Sequence, residues 1–406
     1  MEDTSRAAAA ASPAVLRRRL TVLATAMLLV IVALSLLASG ALASSDPALD
    51  AFIEARMDEA KLPGLQCCIV KDGRIVFATG YGWANIETET PMTPDSVLEI
   101  ASISKTFTAT AAMQCVERGI LRLDKDVKAA LGWSARNPRH RKVPVTVKML
   151  MTHTSSITDS KVLWDGYYFG GDSPIALDDW CRGYLTPGGD YWNGQNWGKY
   201  APGAEWSYSN AGAATCGDVV EQASGTPFDA WCNDHIFRPL GMRDTSWRLR
   251  DLPADLLAMP YYWEEGDYLP YGLYGCPDYP DSMVHTSANQ LGKFLITYLQ
   301  GGIYRGHRIL DASTVDMMLT PFVSGSDVLT GNEVSQGLFW HSNETFVHGR
   351  TLWGHSGADL GISSEMYMDR GRNEGVIVLA NGEAYTWDYP ALAAIVTQLF
   401  QKADKL

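Results

Sequence analysis

The chain has no C-x-x-C and no H-x-x-x-H spacing among its seven cysteines and eight histidines, which removes the usual patterns of a zinc site. It is short of charge, at 19% Asp, Glu, Lys and Arg, and the charge it has is mostly negative. The formal net charge is −13, and no basic stripe interrupts it. An acidic body repels phosphate backbones, so nucleic acid is not an expected partner. No internal repeat of fixed period occurs, so a repeat architecture is not expected. Composition gives no sign of disorder beyond an Ala-rich stretch of about fifteen residues at the start. What remains is an ordinary globular chain of 406 residues, 46% hydrophobic, suited to one large α/β unit or to two lobes sharing a cleft.

One long apolar run is present, and it is N-terminal. Arg17-Arg18-Arg19 precedes Leu20 to Leu37, eighteen residues without charge. Ala41-Leu42-Ala43 follows and offers small residues at the two positions a signal peptidase reads. This is the pattern of a secretory signal peptide over residues 1–43, with cleavage favoured. Eighteen apolar residues also reach the lower limit for a membrane anchor. Either reading places residues 44–406 outside the cytosol, because the arginines flank the N-terminal side. A mitochondrial presequence is disfavoured by Glu2, Asp3 and the unbroken run.

The cysteines fit an oxidising compartment without fixing a framework. Cys67 and Cys68 adjoin on an expected strand and so point to opposite faces. Cys115 falls on the buried face of an expected helix as a packed thiol. Cys181, Cys216, Cys232 and Cys276 remain for one or two disulfides, and an odd total leaves at least one thiol free or paired between chains. Asn343-Glu344-Thr345 is a glycosylation sequon.

Residues 65–80 read as a β-hairpin turning at Lys71-Asp72-Gly73. Ser102 to Gly119 reads as a helix with Phe107, Ala111, Ala112 and Cys115 on one face, and a second helix starts at Thr146. From about 155 to 282 the pattern loosens, with helices expected only near 210–222 and 226–236, and the inserted lobe spans about 125–282. Helix returns over 287–299, capped by Thr286 or Ser287. Strands are expected at 337–341, 351–355, 361–369 and 375–380, before a closing helix at 389–401. The fold class is therefore α/β of the α+β type. An antiparallel sheet draws strands from both chain ends, helices flank it, and the active site lies in the cleft beside the helical and loop-rich insert.

Three short motifs could carry chemistry. In Ser102-Ile103-Ser104-Lys105 the lysine lies one helical turn from the serine, near enough to reach its hydroxyl. A serine in the first turn also faces the positive end of the helix dipole, which favours an oxyanion. In Tyr208-Ser209-Asn210 an extended backbone would aim phenol and amide at one face, while the plainer reading is a loop entering a helix at Asn210. In His355-Ser356-Gly357, on an expected strand, an extended ligand could pair with the strand and Gly357 would permit close approach. Each motif alone says little.

Together, in this order, they resemble the signature of class C β-lactamases, DD-peptidases and the related carboxylesterases and D-aminopeptidases. The segments Leu98 to Phe107, Leu150-Met151-Thr152-His153-Thr154-Ser155 and Phe237-Arg238-Pro239-Leu240-Gly241-Met242 are similar to the family's corresponding stretches, so the likeness covers roughly residues 48–400. The resemblance implies that Ser102 is acylated and that Lys105 and Tyr208 share the serine proton. It implies that Asn210 steadies Lys105 and the substrate carbonyl, and that the backbone N–H groups of Ser102 and Ala358 form the oxyanion hole. His355, Ser356 and Gly357 would line the strand side of the pocket. No cofactor or metal is implied.

Two departures narrow the expectation. His355 stands where most β-lactamases have lysine, and a largely neutral imidazole moves the substrate from β-lactams and D-Ala-D-Ala toward neutral esters or small amides. Ser156 stands where the family commonly has glycine, which bears on that turn alone. His153 is read as a structural hydrogen-bonding residue beneath the site. The aromatics Trp164, Tyr167, Tyr168, Phe169, Trp180, Tyr191, Trp192 and Trp197 either wall the cleft or pack under a long loop. The leading expectation is a serine hydrolase of a small ester, amide or peptide, touching membrane only through an N-terminal anchor. The alternatives are a β-lactamase or DD-peptidase, a transacylase, and a catalytically idle scaffold of the same fold.

Overall fold

A computed structural model describes residues 46–164, 167–326 and 333–406. Residues 1–45, where a signal peptide or anchor is expected, lie outside the described residues, as does the side chain of Trp164. Among the described residues no helix is long and apolar enough to cross a membrane.

The sheet begins with the expected hairpin, Gly64–Lys71 (β1) and Arg74–Asn85 (β2). Asp72 and Gly73 both have positive φ, 50° and 74°, the turn geometry whose twist matches a two-residue hairpin. Thr90–Pro91 (β3) adds a short edge. From the far end of the chain come Val323–Ser326 (β4), Glu333–Gln336 (β5), His341–Asn343 (β6), Leu352–Asp359 (β7), Ile362–Asp369 (β8) and Glu374–Ala380 (β9). The nine strands run in the order β4-β5-β6-β7-β8-β9-β1-β2-β3. β1 therefore sits between β2 and β9, with Cys68 opposite Ile377 and Ala78.

Because β1 is buried on both sides, its alternation sorts residues between two cores. Leu65, Cys67 and Ile69 join Ile395, Leu399 and Phe400 of the closing helix and Leu49, Ile53 and Met57 of the first helix, Pro47–Glu59 (α1). Cys68 and Val70 face the other way, toward the larger core. Each fully buried aliphatic or aromatic side chain contributes about 1.5–3 kcal/mol.

Ser104–Glu117 (α2) runs through that larger core. It is buried from Ser104 to Cys115, so the expectation of one apolar face was too narrow. Threonines fill the remaining faces because they return their hydroxyls to backbone carbonyls, Thr106 to Ile103 and Thr110 to Thr106, each at 2.7 Å.

The insert contains Val147–Met151 (α3), capped by Thr146, and Asn210–Ser224 (α5), as expected. Leu177–Leu185 (α4) lies between them and was not expected. Its signal was present: Leu177, Trp180, Cys181, Tyr184 and Leu185 recur at helical spacing and are buried, with Asp178 and Asp179 in the first turn. Ala288–Leu299 (α6) is capped by Ser287, and Tyr389–Ala403 (α7) closes the chain.

Of the strand expected at 337–341, His341 alone is in a strand, at the start of β6. Gly337 to Trp340 form the connection between β5 and β6, where Phe339 has φ +55° and Gly337 N–H donates to the Trp340 carbonyl at 2.7 Å. Leu338, Phe339 and Trp340 are buried in that turn, so an apolar run mimicked a strand. The expected disulfides are also absent: all seven cysteines are free and buried. Asn343 is 4% exposed, and its Oδ1 accepts from Thr345 and Phe346 backbone N–H groups, so the sequon is folded into the sheet edge.

Candidate active site

Ser102 sits in a single 3-10 turn, Ala101–Ile103, that leads into α2. Ala101 has φ +46°, a left-handed backbone that costs a residue with a Cβ about 1–2 kcal/mol. Neighbours hold it there. Ile100 N–H donates to the Val284 carbonyl at 2.9 Å, and Ser364 Oγ donates to the Ile100 carbonyl at 2.8 Å. A Cβ on Gly357 would lie 2.7 Å from that same carbonyl oxygen and 3.0 Å from the Ala101 Cβ. Gly357 thus lets β7 press on the nucleophile's own turn, and the close approach it permits is internal to the protein.

Lys105 is fully buried, with Nζ 2.9 Å from Ser102 Oγ. The same Nζ donates to the Asp281 carbonyl at 3.0 Å and faces the Asp281 carboxylate at 3.6 Å. α2 itself places Asp281, since Thr108 Oγ1 donates to the Pro280 carbonyl and Ser104 Oγ to that of Ser282. Burial works against the Lys105 charge, but Tyr208 and Asp281 outweigh it and its pKa is raised. The resting lysine is an ammonium.

Tyr208 shares hydrogen bonds with Ser102 and Lys105, and its ring lies 5.0 Å from Lys105 Nζ. Burial raises its hydroxyl pKa although the lysine pulls the other way. Behind it stand imidazoles. His153 lies 4.4 Å away, ring to ring, and its Nδ1 accepts from Ser209 N–H at 3.2 Å, the structural role expected for it. Ser156 adopts the left-handed backbone at φ +61° and accepts from Asn137 Nδ2, so that turn survives without glycine.

Asn210 opens α5, with Ser209 as cap. Asp159 locks the junction by accepting from the backbone N–H groups of Asn210 at 2.8 Å and Ala211 at 3.1 Å. The described partners of Lys105 are Ser102, Asp281 and Tyr208; Asn210 Oδ1 is buried without a hydrogen-bond partner. The carboxylate of Asp281, and not the amide of Asn210, steadies the lysine.

A narrow cleft of about 50 Å³ opens on Ser102, with Asn210 and Ala358 on its walls. Tyr167 and Tyr168 line it as well, while Trp180 stacks on Tyr184 and Trp197 bonds to the Leu185 carbonyl in the core, so the aromatics divide between the two expected roles. His355, Ser356 and Gly357 are buried on β7 behind it. His355 is 3% exposed, turned toward His341 at 4.7 Å and Tyr208 at 6.2 Å, ring to ring. Burial, then His341 and Lys105, hold its pKa well below the usual value, so it is a neutral imidazole.

Sequence reasoning missed the carboxylates. Asp278, Asp281 and Asp359 line the cleft, and Glu99 bonds to Asp359 from behind. No short motif announces them; they come from three separate segments, around 99, 278–281 and 359. Cys276, Asp278 and Asp281 place ligand atoms within 4.8 Å of one another, the spacing a metal ion needs. Burial holds the Cys276 thiol protonated and Asp281 already engages Lys105, so a divalent ion would have to displace both a proton and an ammonium.

Residues 49–399 match the family model described as Beta-lactamase. Among curated relatives, Protein flp of Staphylococcus aureus (strain MW2) is 23% identical over 354 residues, covering 83% of this chain and 63% of that protein. The chain thus spans somewhat under two thirds of the length of that relative. Among solved structures, an octameric penicillin-binding protein homologue from Pyrococcus abyssi superposes with a TM-score of 0.69 at 27% identity, covering 88% of this chain and 77% of the other. A penicillin binding protein from Bacillus halodurans gives 0.66 at 25% identity, over 84% and 98%.

Proposed function

The chain belongs to the beta-lactamase family of serine hydrolases, and from that premise we propose that it acts through an acyl-enzyme on Ser102, on esters or small amides. The observation that carries this is the 2.9 Å contact between Lys105 Nζ and Ser102 Oγ at the floor of a cleft shared with Asn210 and Ala358. Ser102 Oγ attacks the substrate carbonyl carbon and its proton passes into the Lys105–Tyr208 pair. That pair then protonates the departing alkoxide or amine. A water repeats the sequence in reverse and frees the acid. Both members hold their protons tightly at rest, so turnover rises with pH as the pair loses one proton. The N–H groups of Ser102 and Ala358 would take the developing oxyanion.

The buried neutral His355 supports a substrate without a carboxylate, because no permanent cation begins the third motif. The arginines and apolar run before residue 44 support export.

The test is hydrolysis of p-nitrophenyl butyrate and of a chromogenic cephalosporin by the protein and its Ser102→Ala variant. Ester turnover that falls about a thousandfold or more in the variant is expected, with little cephalosporin cleavage. Fast cephalosporin turnover would return the protein to the β-lactamases. Cleavage of neither, with no Ser102-dependent labelling by a fluorophosphonate, would leave an idle scaffold.

A further inference from the structure

The turn that carries Ser102 is fastened to the end of the sheet by three contacts. Gly357 packs against the Ile100 carbonyl and the Ala101 Cβ, and Ser364 Oγ donates to that same carbonyl at 2.8 Å. The third contact is a hydrogen bond between two carboxyl groups, Glu99 and Asp359. Glu99 stands three residues before Ser102 and pairs its backbone with His285, while Asp359 directly follows Ala358. The first two contacts involve no ionisable group, whereas the third depends on a proton.

Two carboxylates in contact repel, so this bond exists only with one proton between them. Glu99 is 3% exposed, and burial, then the charge of Asp359, raises its pKa well above the usual carboxyl range. Glu99 therefore holds the proton and donates, and Asp359 accepts. Asp359 Oδ1 also accepts from Tyr168 Oη at 2.9 Å and from Leu360 N–H at 2.8 Å. The Leu360 carbonyl in turn accepts from Tyr274 Oη at 2.7 Å. The pair thus joins the nucleophile's turn, the end of β7 and the insert. Asp281 and Tyr274 also face Glu99, while Tyr271, Cys276, Asp278 and Lys105 face Asp359.

We propose that Glu99 and Asp359 are positioning residues whose shared proton fixes the distance between the N–H groups of Ser102 and Ala358, and with it the shape of the oxyanion site. This rests on the acyl-enzyme reading of Ser102 and deepens it. Donors must lie about 2.7–3.1 Å from the developing oxyanion, and a misplacement of about 1 Å costs about a hundredfold in rate. Removing the proton sets two carboxylates against each other and drives the segments of Ser102 and Ala358 apart.

The experiment measures kcat and KM for p-nitrophenyl butyrate in Glu99→Gln, Glu99→Ala, Asp359→Ala and the double alanine variant. Glutamine keeps an N–H donor toward Asp359 and does not ionise, so its kcat at pH 7 is expected within about threefold of the unaltered protein. Glu99→Ala is expected to lower kcat about a hundredfold while KM changes by less than about threefold. Asp359→Ala should do the same, and the double variant should lose no more than either, because the two act as one unit. Losses that multiply, a loss confined to KM, or a glutamine variant as slow as alanine overturns the inference. Where the alanine variants do not fold, Glu99→Gln decides through pH. The ratio of its kcat to that of the unaltered protein cancels the proton lost by the Lys105–Tyr208 pair. That ratio is expected to climb from about one at pH 6 to about ten or more at pH 10, as Glu99 gives up its proton, and a constant ratio overturns the inference. An unaltered protein without Ser102-dependent turnover or fluorophosphonate labelling would instead defeat the acyl-enzyme reading, and this inference with it.

Discussion

Ser102 stands between two walls of opposite electrostatic character. On one side the fold gathers Glu99, Asp278, Asp281 and Asp359, carboxyls that burial pushes upward. On the other it packs His153, His341 and His355 around Tyr208. Burial holds His153 and His355 far below the usual imidazole value, so neither carries charge at neutral pH. Lys105 is the cation between the walls. Desolvation thus acts on both sides alike, always against charge, yet its consequences differ. Burial leaves the imidazoles of His153 and His355 without charge and favours the protonated form of Glu99 and Asp281.

The comparison breaks most sharply if the imidazole wall is made cationic. His355→Lys places an unpaired ammonium in a buried site near Tyr208 and Lys105. It is expected to lower stability by about 3–5 kcal/mol in denaturant titration. It also repels the Lys105 charge, so the alkaline limb of ester turnover moves to lower pH by about one unit. An unshifted limb would show that the imidazole wall does not feel the nucleophile.

A smaller effect sharpens the other wall. Asp278 has a folded value raised from 3.8 to about 6. Its neutral form is the one the fold prefers, so it adds stability below pH 4 that is lost as pH rises through 6. The groups that face it are Cys276, Asp159, Asp281 and Asp359. Asp278→Asn should therefore raise Tm at pH 7 and leave it nearly unchanged at pH 4, with at most about 3 kcal/mol at stake. A variant stabilised equally at both values would mean that the carboxylate charge is not what the fold resists.

The smallest effect concerns the loop beneath the imidazoles. Ser156→Gly relieves a left-handed backbone but forfeits the bond from Asn137, so stability should change by less than about 1 kcal/mol. A larger loss would show that the Asn137 contact organises the loop.

The division between what the sequence told and what it concealed follows these walls. Ser102 and Lys105 were legible because their juxtaposition is local, one turn of one helix. Cys67 and Cys68 were assigned to opposite faces by strand alternation alone, and the two cores bear this out. The carboxylate wall was illegible because Glu99, Asp278, Asp281 and Asp359 converge only through tertiary packing, the clasp of α2 on residues 280–282 above all. His355 was placed on the right strand, and it is buried there beside His341 and Tyr208. The strand expected at 337–341 failed for a different reason: burial of three successive apolar residues does not distinguish a strand from a tight turn with a left-handed residue.

The place of β1 in the sheet has a bearing on how the chain is made. Lys71 pairs with Glu374, so one flank of this buried strand waits for a partner translated about 300 residues later. At 5–20 residues per second that is an interval of about 15 to 60 s. Throughout it a hairpin rich in Cys, Ile and Val offers an open hydrogen-bonding edge to whatever strand it meets. The sheet cannot close on the ribosome from its N-terminal half, and a nascent chain of this kind depends on being shielded until its last strand emerges.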